Sequence, residues 1–111
     1  MFKADGGDSG NAVVAGRGRR VGGSGSLDAS LVILGEAPGR QEEQALRPFV
    51  GAAGHRLDEF LRAAGLDRSA LRIENVCEVR PPGNKLERLP AGELDWWKRD
   101  LWQRLQALRQ P

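Results

Sequence analysis

The chain has 111 residues, a formal net charge of +2 at pH 7 and a pI near 9.2. This length is sufficient for one small domain, and the mild basicity is compatible with a nucleic-acid partner without identifying one. No apolar run is long enough to cross a membrane and no apolar signal segment is present, so we expect a cytoplasmic protein without a membrane anchor. Cys77 is the single cysteine, which excludes an internal disulfide and a multi-cysteine metal site within one chain.

The first thirty residues contain eight of the fifteen glycines and few bulky apolar side chains. Such a segment buries too little apolar surface to offset the entropy cost of ordering it. We therefore predict a Gly-rich flexible segment over residues 1–30 and a folded domain over residues 31–111. Within the flexible segment, Arg17, Arg19 and Arg20 are compatible either with contacts to phosphate or with a solubilising tail.

The folded part begins with residues 31–34, four consecutive aliphatic side chains that end at a glycine. This pattern predicts a buried strand of a parallel sheet, and a loop follows to about residue 53. Apolar residues then recur at helical spacing up to Ala64, and Gly65 occupies the position of a C-terminal cap. The apolar residues that define this helix are Leu57, Phe60, Leu61 and Ala64.

A second strand is predicted over residues 71–76, with Leu71, Ile73 and Asn75 on one face. Residues 80–84 form an irregular loop, and a last helix carries an apolar stripe that includes Trp97. The order predicts an α/β fold: part of a three-layer α/β/α domain with a parallel sheet, of which two strands and two main helices are present. Because two strands leave an open sheet edge, we expect further chain, a partner or self-association to cover it.

A loop with two glycines follows the first strand directly, in the sequence Gly35, Glu36, Ala37, Pro38, Gly39. Ligands of α/β sheets bind beyond the carboxyl ends of the strands, where glycines allow the backbone to approach a ligand closely. Ordinary turn chemistry explains these glycines equally well.

Two other residues each have two explanations. Phe49 lies outside both periodic helices, so it either fills the core from a loop or presents a flat face to a ligand. Asn75 either reads a ligand or hydrogen-bonds the turn after its strand. His55, at the start of the first helix, fits a surface or capping role best.

Taken together, LVILGEAPGRQEEQALRPFVGAAGHRLDEFL and IENVCEVRPPGNK resemble family 4 of the uracil-DNA glycosylases. The family pattern consists of GEAPGxxED, GRPFVG, a leucine-rich helix, a strand that ends in asparagine and an RPPGN loop. The resemblance extends over about residues 16–108. It implies hydrolysis of the N-glycosidic bond of deoxyuridine in DNA, in base excision repair.

The resemblance also implies roles for individual residues. Glu36 and Glu42 are similar to the family's catalytic acids, Glu42 being the better match for the one that assists water or the sugar cation. Phe49 resembles the aromatic that stacks on the extruded uracil, and Asn75 resembles the amide that reads its edge, as base flipping requires. The uracil pocket is completed by Gly35, Ala37, Pro38, Gly39 and Asn84.

The sequence departs from the family pattern at the iron–sulfur ligands. Family 4 members hold the cluster with four cysteines, whereas the corresponding positions here fall near Asp8 and Asn11, at Val79, and at Trp96 or Trp97. Cluster iron requires thiolates, so we expect no cofactor and no bound metal. Cys77 fits a small buried side chain better than a ligand.

The resemblance further implies a histidine motif that binds the uracil carbonyl and a loop that wedges the duplex, and both lie beyond the part of the family represented here. We therefore expect this chain to be the N-terminal half of a glycosylase domain that lacks the C-terminal catalytic motif. The alternative is a non-catalytic remnant of the fold that binds DNA or a partner.

Overall fold

The computed structural model describes residues 18–108. It contains three strands and three α-helices, which we label in chain order. The strands are β1 (Ser24–Gly25), β2 (Val32–Gly35) and β3 (Arg72–Asn75), and the helices are α1 (Arg40–Ala45), α2 (Ala52–Ala64) and α3 (Glu93–Gln106). Short 3₁₀ turns occur at Arg68–Ala70, Pro82–Asn84 and Leu86–Arg88. No helix within residues 18–108 is long and apolar enough to cross a membrane.

The three strands form one mixed sheet in the order β1-β3-β2. β2 pairs with β3 in parallel, so the predicted parallel α/β arrangement is confirmed. β1 pairs with β3 antiparallel, and this third strand was not predicted. The central strand β3 is buried in three of its four residues, since it has a neighbour on each side.

The lead-in to β2 is part of the fold rather than a flexible segment. Ser24 and Gly25 pair with Ile73 and Arg72, and the Val21 side chain is buried. The prediction of a flexible segment therefore does not hold for residues 18–30. Its remaining part, residues 1–17 with Arg17, lies outside the described residues.

β2 lies at the edge of the sheet, and its burial was overestimated from the sequence. Leu34 is 50% exposed, and Leu31 just before the strand is 44% exposed. The reason is that, within residues 18–108, β2 has β3 on one side and no strand on the other. A run of aliphatic side chains at a free edge is a surface that other chain segments can cover.

Both main helices form where they were predicted. α2 ends at Gly65, which adopts the left-handed conformation (φ 72°) and donates its N–H to the carbonyls of Leu61 and Arg62. α1 was not predicted, because its sequence RQEEQA has no apolar periodicity and none of its residues is buried. It is instead stabilised at its N-terminus by Glu42, whose carboxylate accepts a hydrogen bond from the N–H of Gly39.

The largest buried side chain belongs to α3. Trp97 packs against Cys77 and Val79, which follow β3, and all three side chains are fully buried. Cys77 is thus a small buried side chain, as the sequence suggested. Five residues further along α3, Trp102 is 64% exposed, so the helix has one buried and one open face.

A network of charged side chains joins the lead-in and α3 to the end of β3. Arg20 is 5% exposed and donates hydrogen bonds to Glu78 and Asp100 at 2.6 and 2.7 Å. Arg104 binds the same Asp100 and also Glu74, at 2.8 Å each. The Arg20 guanidinium lies 5.0 Å from the ring centroid of Trp97, within the range of a cation–π interaction. Both interpretations of Arg20 from the sequence, a phosphate contact or a solubilising tail, are therefore wrong.

Candidate active site

The carboxyl ends of β2 and β3 open into a cleft. Gly35 and Asn75 are paired partners at these two ends, so the loops that follow them leave the sheet side by side. The cleft has a volume of about 350 Å³, at the lower end of the roughly 300–1,000 Å³ of small-molecule sites. Its walls are Gly35, Glu36, Ala37, Pro38, Gly39, Glu42, Phe49, Ala53, Asn75, Pro81, Asn84 and Leu86.

All nine site residues named from the sequence lie in this one cleft. The structure adds Ala53, Pro81 and Leu86, which carry no chemistry of their own. Ala53 and Leu86 give no signal in the sequence, and the only signal for Pro81 is its place in the RPPGN loop. His55, by contrast, is exposed on α2 and does not line the cleft, which agrees with the surface role expected for it.

The Glu42 carboxylate is held by the backbone on both of its oxygens. Oε1 accepts the N–H of Gly39 at 3.0 Å, and Oε2 accepts those of Val50 and Gly51 at 3.0 and 2.7 Å. Partial burial acts to raise the pKa of Glu42, but these hydrogen bonds outweigh it and lower the pKa below the ordinary value. Glu42 therefore stays ionised and joins the GEAPG loop to the RPFVG loop.

Glu36 differs from Glu42 in its surroundings. It is exposed at the cleft, and its backbone carbonyl accepts the N–H of Cys77 at 2.8 Å, which continues the β2–β3 pairing beyond the strands. The backbone at Glu36 is thus fixed while its side chain faces solvent. A carboxylate placed in this way can contact a water molecule inside the cleft.

Phe49 and Asn75 approach Gly35 from different elements. A Cβ atom built on Gly35 would overlap both the Phe49 ring and the Asn75 side-chain oxygen. Glycine is therefore required at position 35, and the aromatic face and the amide lie within a few ångströms of each other. Of the two interpretations of Phe49, the structure favours the exposed face, since this residue is half-buried and lines the cleft.

Asn84 completes the cleft from the RPPGN loop. Its side-chain oxygen accepts a hydrogen bond from Arg80 Nε at 2.7 Å, and its backbone is left-handed with φ 61°. Arg80 also lies 3.8 Å from a carboxylate oxygen of Glu43 on α1. The loop is thereby held against α1.

The iron–sulfur ligand positions are occupied by core residues. Val79 and Trp97 stand where two cysteines are expected. Both side chains are fully buried and pack in the same core cluster. No group of three or more potential metal ligands exists within residues 18–108, and Asp8 and Asn11 lie outside the described residues. An apolar, filled volume with a single thiol, that of Cys77, does not fit an iron–sulfur cluster, which needs several thiolates.

Sequence comparisons relate this chain to known proteins. The family model of the uracil DNA glycosylase superfamily matches residues 23–111. The type-4 uracil-DNA glycosylase of Thermotoga maritima is 48% identical over 63 residues, which is 57% of this chain and 33% of that protein. Those of Pyrobaculum aerophilum and Archaeoglobus fulgidus are 48% and 49% identical over 65 residues, each match covering 59% of this chain and 33% of the relative.

The match thus spans about a third of the length of these relatives. The match to the family model, which begins at Gly23 and runs through α3, includes β2, the cleft loops, α2 and β3. The chain belongs to the uracil DNA glycosylase superfamily.

Proposed function

We propose that this chain supplies the uracil-binding part of a uracil-DNA glycosylase, which hydrolyses the N-glycosidic bond of deoxyuridine in DNA. The observation that supports this most is the approach of Phe49 and Asn75 to the same side of Gly35 at the carboxyl end of the sheet. The partner is DNA that contains uracil, and the expected location is the cytoplasm.

The cleft suits a base that has left the duplex. A pyrimidine can stack on the Phe49 ring while its edge meets Asn75, whose amide donates to one uracil oxygen and accepts from the ring N–H. Asn75 is 4% exposed, so water competes little for these hydrogen bonds. Stacking with edge recognition selects a pyrimidine with uracil's pattern of donors and acceptors.

The reaction requires water and no cofactor. The bond between the sugar C1′ and the base N1 breaks, its electron pair goes to the uracil ring, and the water oxygen bonds to C1′. Positive charge develops on the sugar, which the ionised Glu42 stabilises electrostatically. Glu36 orients the water and accepts its proton, in accordance with its exposure in the cleft.

Negative charge on the uracil ring requires a hydrogen-bond donor besides Asn75. Among the described residues, those that line the cleft include no histidine, lysine or arginine. Losing one such donor typically costs about 2.7–4 kcal/mol of activation free energy, or roughly a hundred- to a thousandfold in rate. We therefore expect little excision by this chain alone, with the deficit smaller on single-stranded DNA because no duplex must be opened.

The free edge of β2 is where we propose that the rest of the glycosylase fold packs, since relatives are about three times as long as the matched part. The exposed Leu31 and Leu34 provide the apolar surface for it. Without that cover, the chain should be marginally stable or should self-associate through this edge.

The test supplies the region that follows the matched part in the Thermotoga maritima relative, fused or in trans, and assays deoxyuridine oligonucleotides. We expect excision that Asn75→Ala and Glu42→Ala abolish, together with a shift from associated to discrete species in analytical ultracentrifugation. Excision of uracil from duplex DNA at full rate by this chain alone would contradict the proposed division of catalytic groups between this chain and the added region. Restored association state without excision by the completed protein would favour the alternative, a non-catalytic module that binds DNA or a partner.

We further propose that the chain binds no iron–sulfur cluster, because a filled apolar core occupies the ligand positions. Purified protein reconstituted with iron and sulfide should contain iron far below one equivalent and show no visible charge-transfer absorption. Stoichiometric iron with such absorption would contradict the proposal.

A further inference from the structure

The most informative side chain outside the cleft is Arg68, in the 3₁₀ turn that follows α2. Its Nη2 donates to the backbone carbonyls of Pro48 and Phe49 at 2.8 and 2.7 Å. Its Nη1 donates to a carboxylate oxygen of Asp58 on α2 at 3.1 Å. One planar guanidinium thus connects α2 with the loop that carries Phe49.

The loop requires such support because Phe49 has an unfavourable backbone. Its φ of 56° lies in the left-handed region, which bulky residues rarely adopt. A strained conformation of this kind persists only when its surroundings determine it. Arg68 contacts the Phe49 carbonyl from one side, and the backbone of α2 approaches the same carbonyl so closely that a Cβ on Gly54 would overlap it.

The backbone conformation of Phe49 decides where its ring lies. The φ angle fixes the direction of the bond from Cα to Cβ, so relaxation to an ordinary φ would carry the ring away from Gly35. The cleft would then lose its aromatic wall, while Asn75, held by β3, would remain in place.

We propose that Arg68 is a positioning residue that holds Phe49 in its left-handed conformation and so places the aromatic face on which the base stacks. Arg68 does not line the cleft, so it acts through Phe49 rather than by touching the base. This inference rests on the proposed function for the stacking role, whereas the placement of the ring is a property of the protein alone.

The first measurement follows the ring without any ligand. In the complete 111-residue chain, we expect a nuclear Overhauser contact between the Phe49 ring and the Gly35 α protons, because the ring lies against Gly35. Arg68→Met should abolish this contact and leave the far-UV circular dichroism spectrum unchanged. Arg68→Lys should weaken it, because an ammonium group cannot reproduce the fork geometry of a guanidinium. The matched control is Arg62→Met, at an exposed arginine in the last turn of α2, which should keep the contact.

The second measurement titrates 2′-deoxyuridine and follows the Gly35 amide resonance. Arg68→Met should weaken binding by about tenfold, which is the loss of roughly one charge-assisted hydrogen bond. The two measurements separate the hypotheses. If the unmodified chain binds no deoxyuridine, the proposed function fails, and the ring contact still tests Arg68. If the ring contact survives in a folded Arg68→Met protein, the positioning role is wrong, whatever the binding result. Should Arg68→Met fail to fold, Arg68→Lys decides: a weakened ring contact supports the positioning role, and a contact of unchanged intensity overturns it.

Discussion

The two sides of the β3 carboxyl end are held together by different kinds of interaction. On the cleft side, which consists of residues 35–51 and 80–86, the backbone of the loops is bound by Glu42 and Arg68. On the α3 side, which consists of Trp97 and its core with the charged network of Arg20 and Arg104, side chains bind one another.

The difference lies in where strain and burial are found. Within residues 18–108, the three non-glycine residues with positive φ are Leu46, Phe49 and Asn84, and all belong to the loops around the cleft. The fully buried tryptophan and the charged side chains that surround it belong to the α3 side. Strained backbone is found around the cleft, whereas the largest buried side chains are found on the α3 side.

The strongest test of this comparison removes the α3 core. Trp97→Ala should destabilise the domain by about 3–5 kcal/mol, the usual cost of truncating a buried large aromatic residue. Urea unfolding monitored by circular dichroism measures the effect. Trp102→Ala, on the exposed face of the same helix, is the control and should change the free energy of unfolding by less than about 0.5 kcal/mol. Equal losses of unfolding free energy in the two variants would contradict the assignment of Trp97 to the core and of Trp102 to the surface.

The charged network comes next in expected effect. Arg20→Met leaves Glu78 buried without its closest cation and should cost about 3 kcal/mol, since breaking a buried ion pair leaves an uncompensated charge. The neighbouring Arg19→Met changes an exposed residue and should be nearly neutral. Adding Glu78→Leu to Arg20→Met should recover part of the loss, because it removes a buried carboxylate whose remaining cation, Arg104, is 3.4 Å away. No recovery in the double variant would mean that the Arg20 stem and its contact with Trp97 carry the effect.

On the cleft side, Glu42→Gln should cost about 1–3 kcal/mol, because a neutral amide cannot accept all three backbone N–H groups. The effect depends on pH. Because folding lowers the pKa of Glu42, its contribution is complete above the ordinary value of 4.5 and is lost as the pH falls below it. The gap in unfolding free energy between the two proteins should therefore narrow from pH 6 to pH 3. A gap that is constant over this range would contradict the ionised state inferred for Glu42.

The smallest expected effect is an increase in the free energy of unfolding. Leu46 ends α1 in the left-handed conformation with φ 55°, at the position where the family pattern has glycine. Leu46→Gly should relieve about 1 kcal/mol of backbone strain. Ala45→Gly, in the last helical residue beside it, should instead destabilise by up to about 1 kcal/mol. A loss at both positions would indicate that the half-buried Leu46 side chain contributes more than its backbone costs.

Much of the fold was predictable because the patterns that specify it are local. The apolar run of β2, the helical spacing and glycine cap of α2 and the stripe of α3 each lie within a few turns of chain. The site was predictable for a different reason: its loops follow strand ends, and parallel strands bring those ends together. The pairing of Gly35 with Asn75 is the expected result.

The features that were not predictable depend on contacts between distant parts of the sequence. Arg20 is buried because Glu78 and Asp100, 58 and 80 residues away, neutralise it, and no local pattern reveals either partner. β1 exists because β3 offers a free edge to a glycine-containing segment. Nothing in the sequence distinguishes Arg68 from a surface arginine, because its hydrogen bond to the Phe49 carbonyl depends on the fold.

Because Cys77 is buried, the reactivity of its thiol reports local opening of the structure. The thiol is the only one in the sequence and is fully buried between β3 and Trp97. A maleimide reagent can reach it only when the packing around it opens, so the labelling rate measures how often this core opens. Because Ala37 and Leu86 of the cleft loops pack against the same core as α3, alkylation kinetics in the unmodified protein report the opening of both sides of this junction.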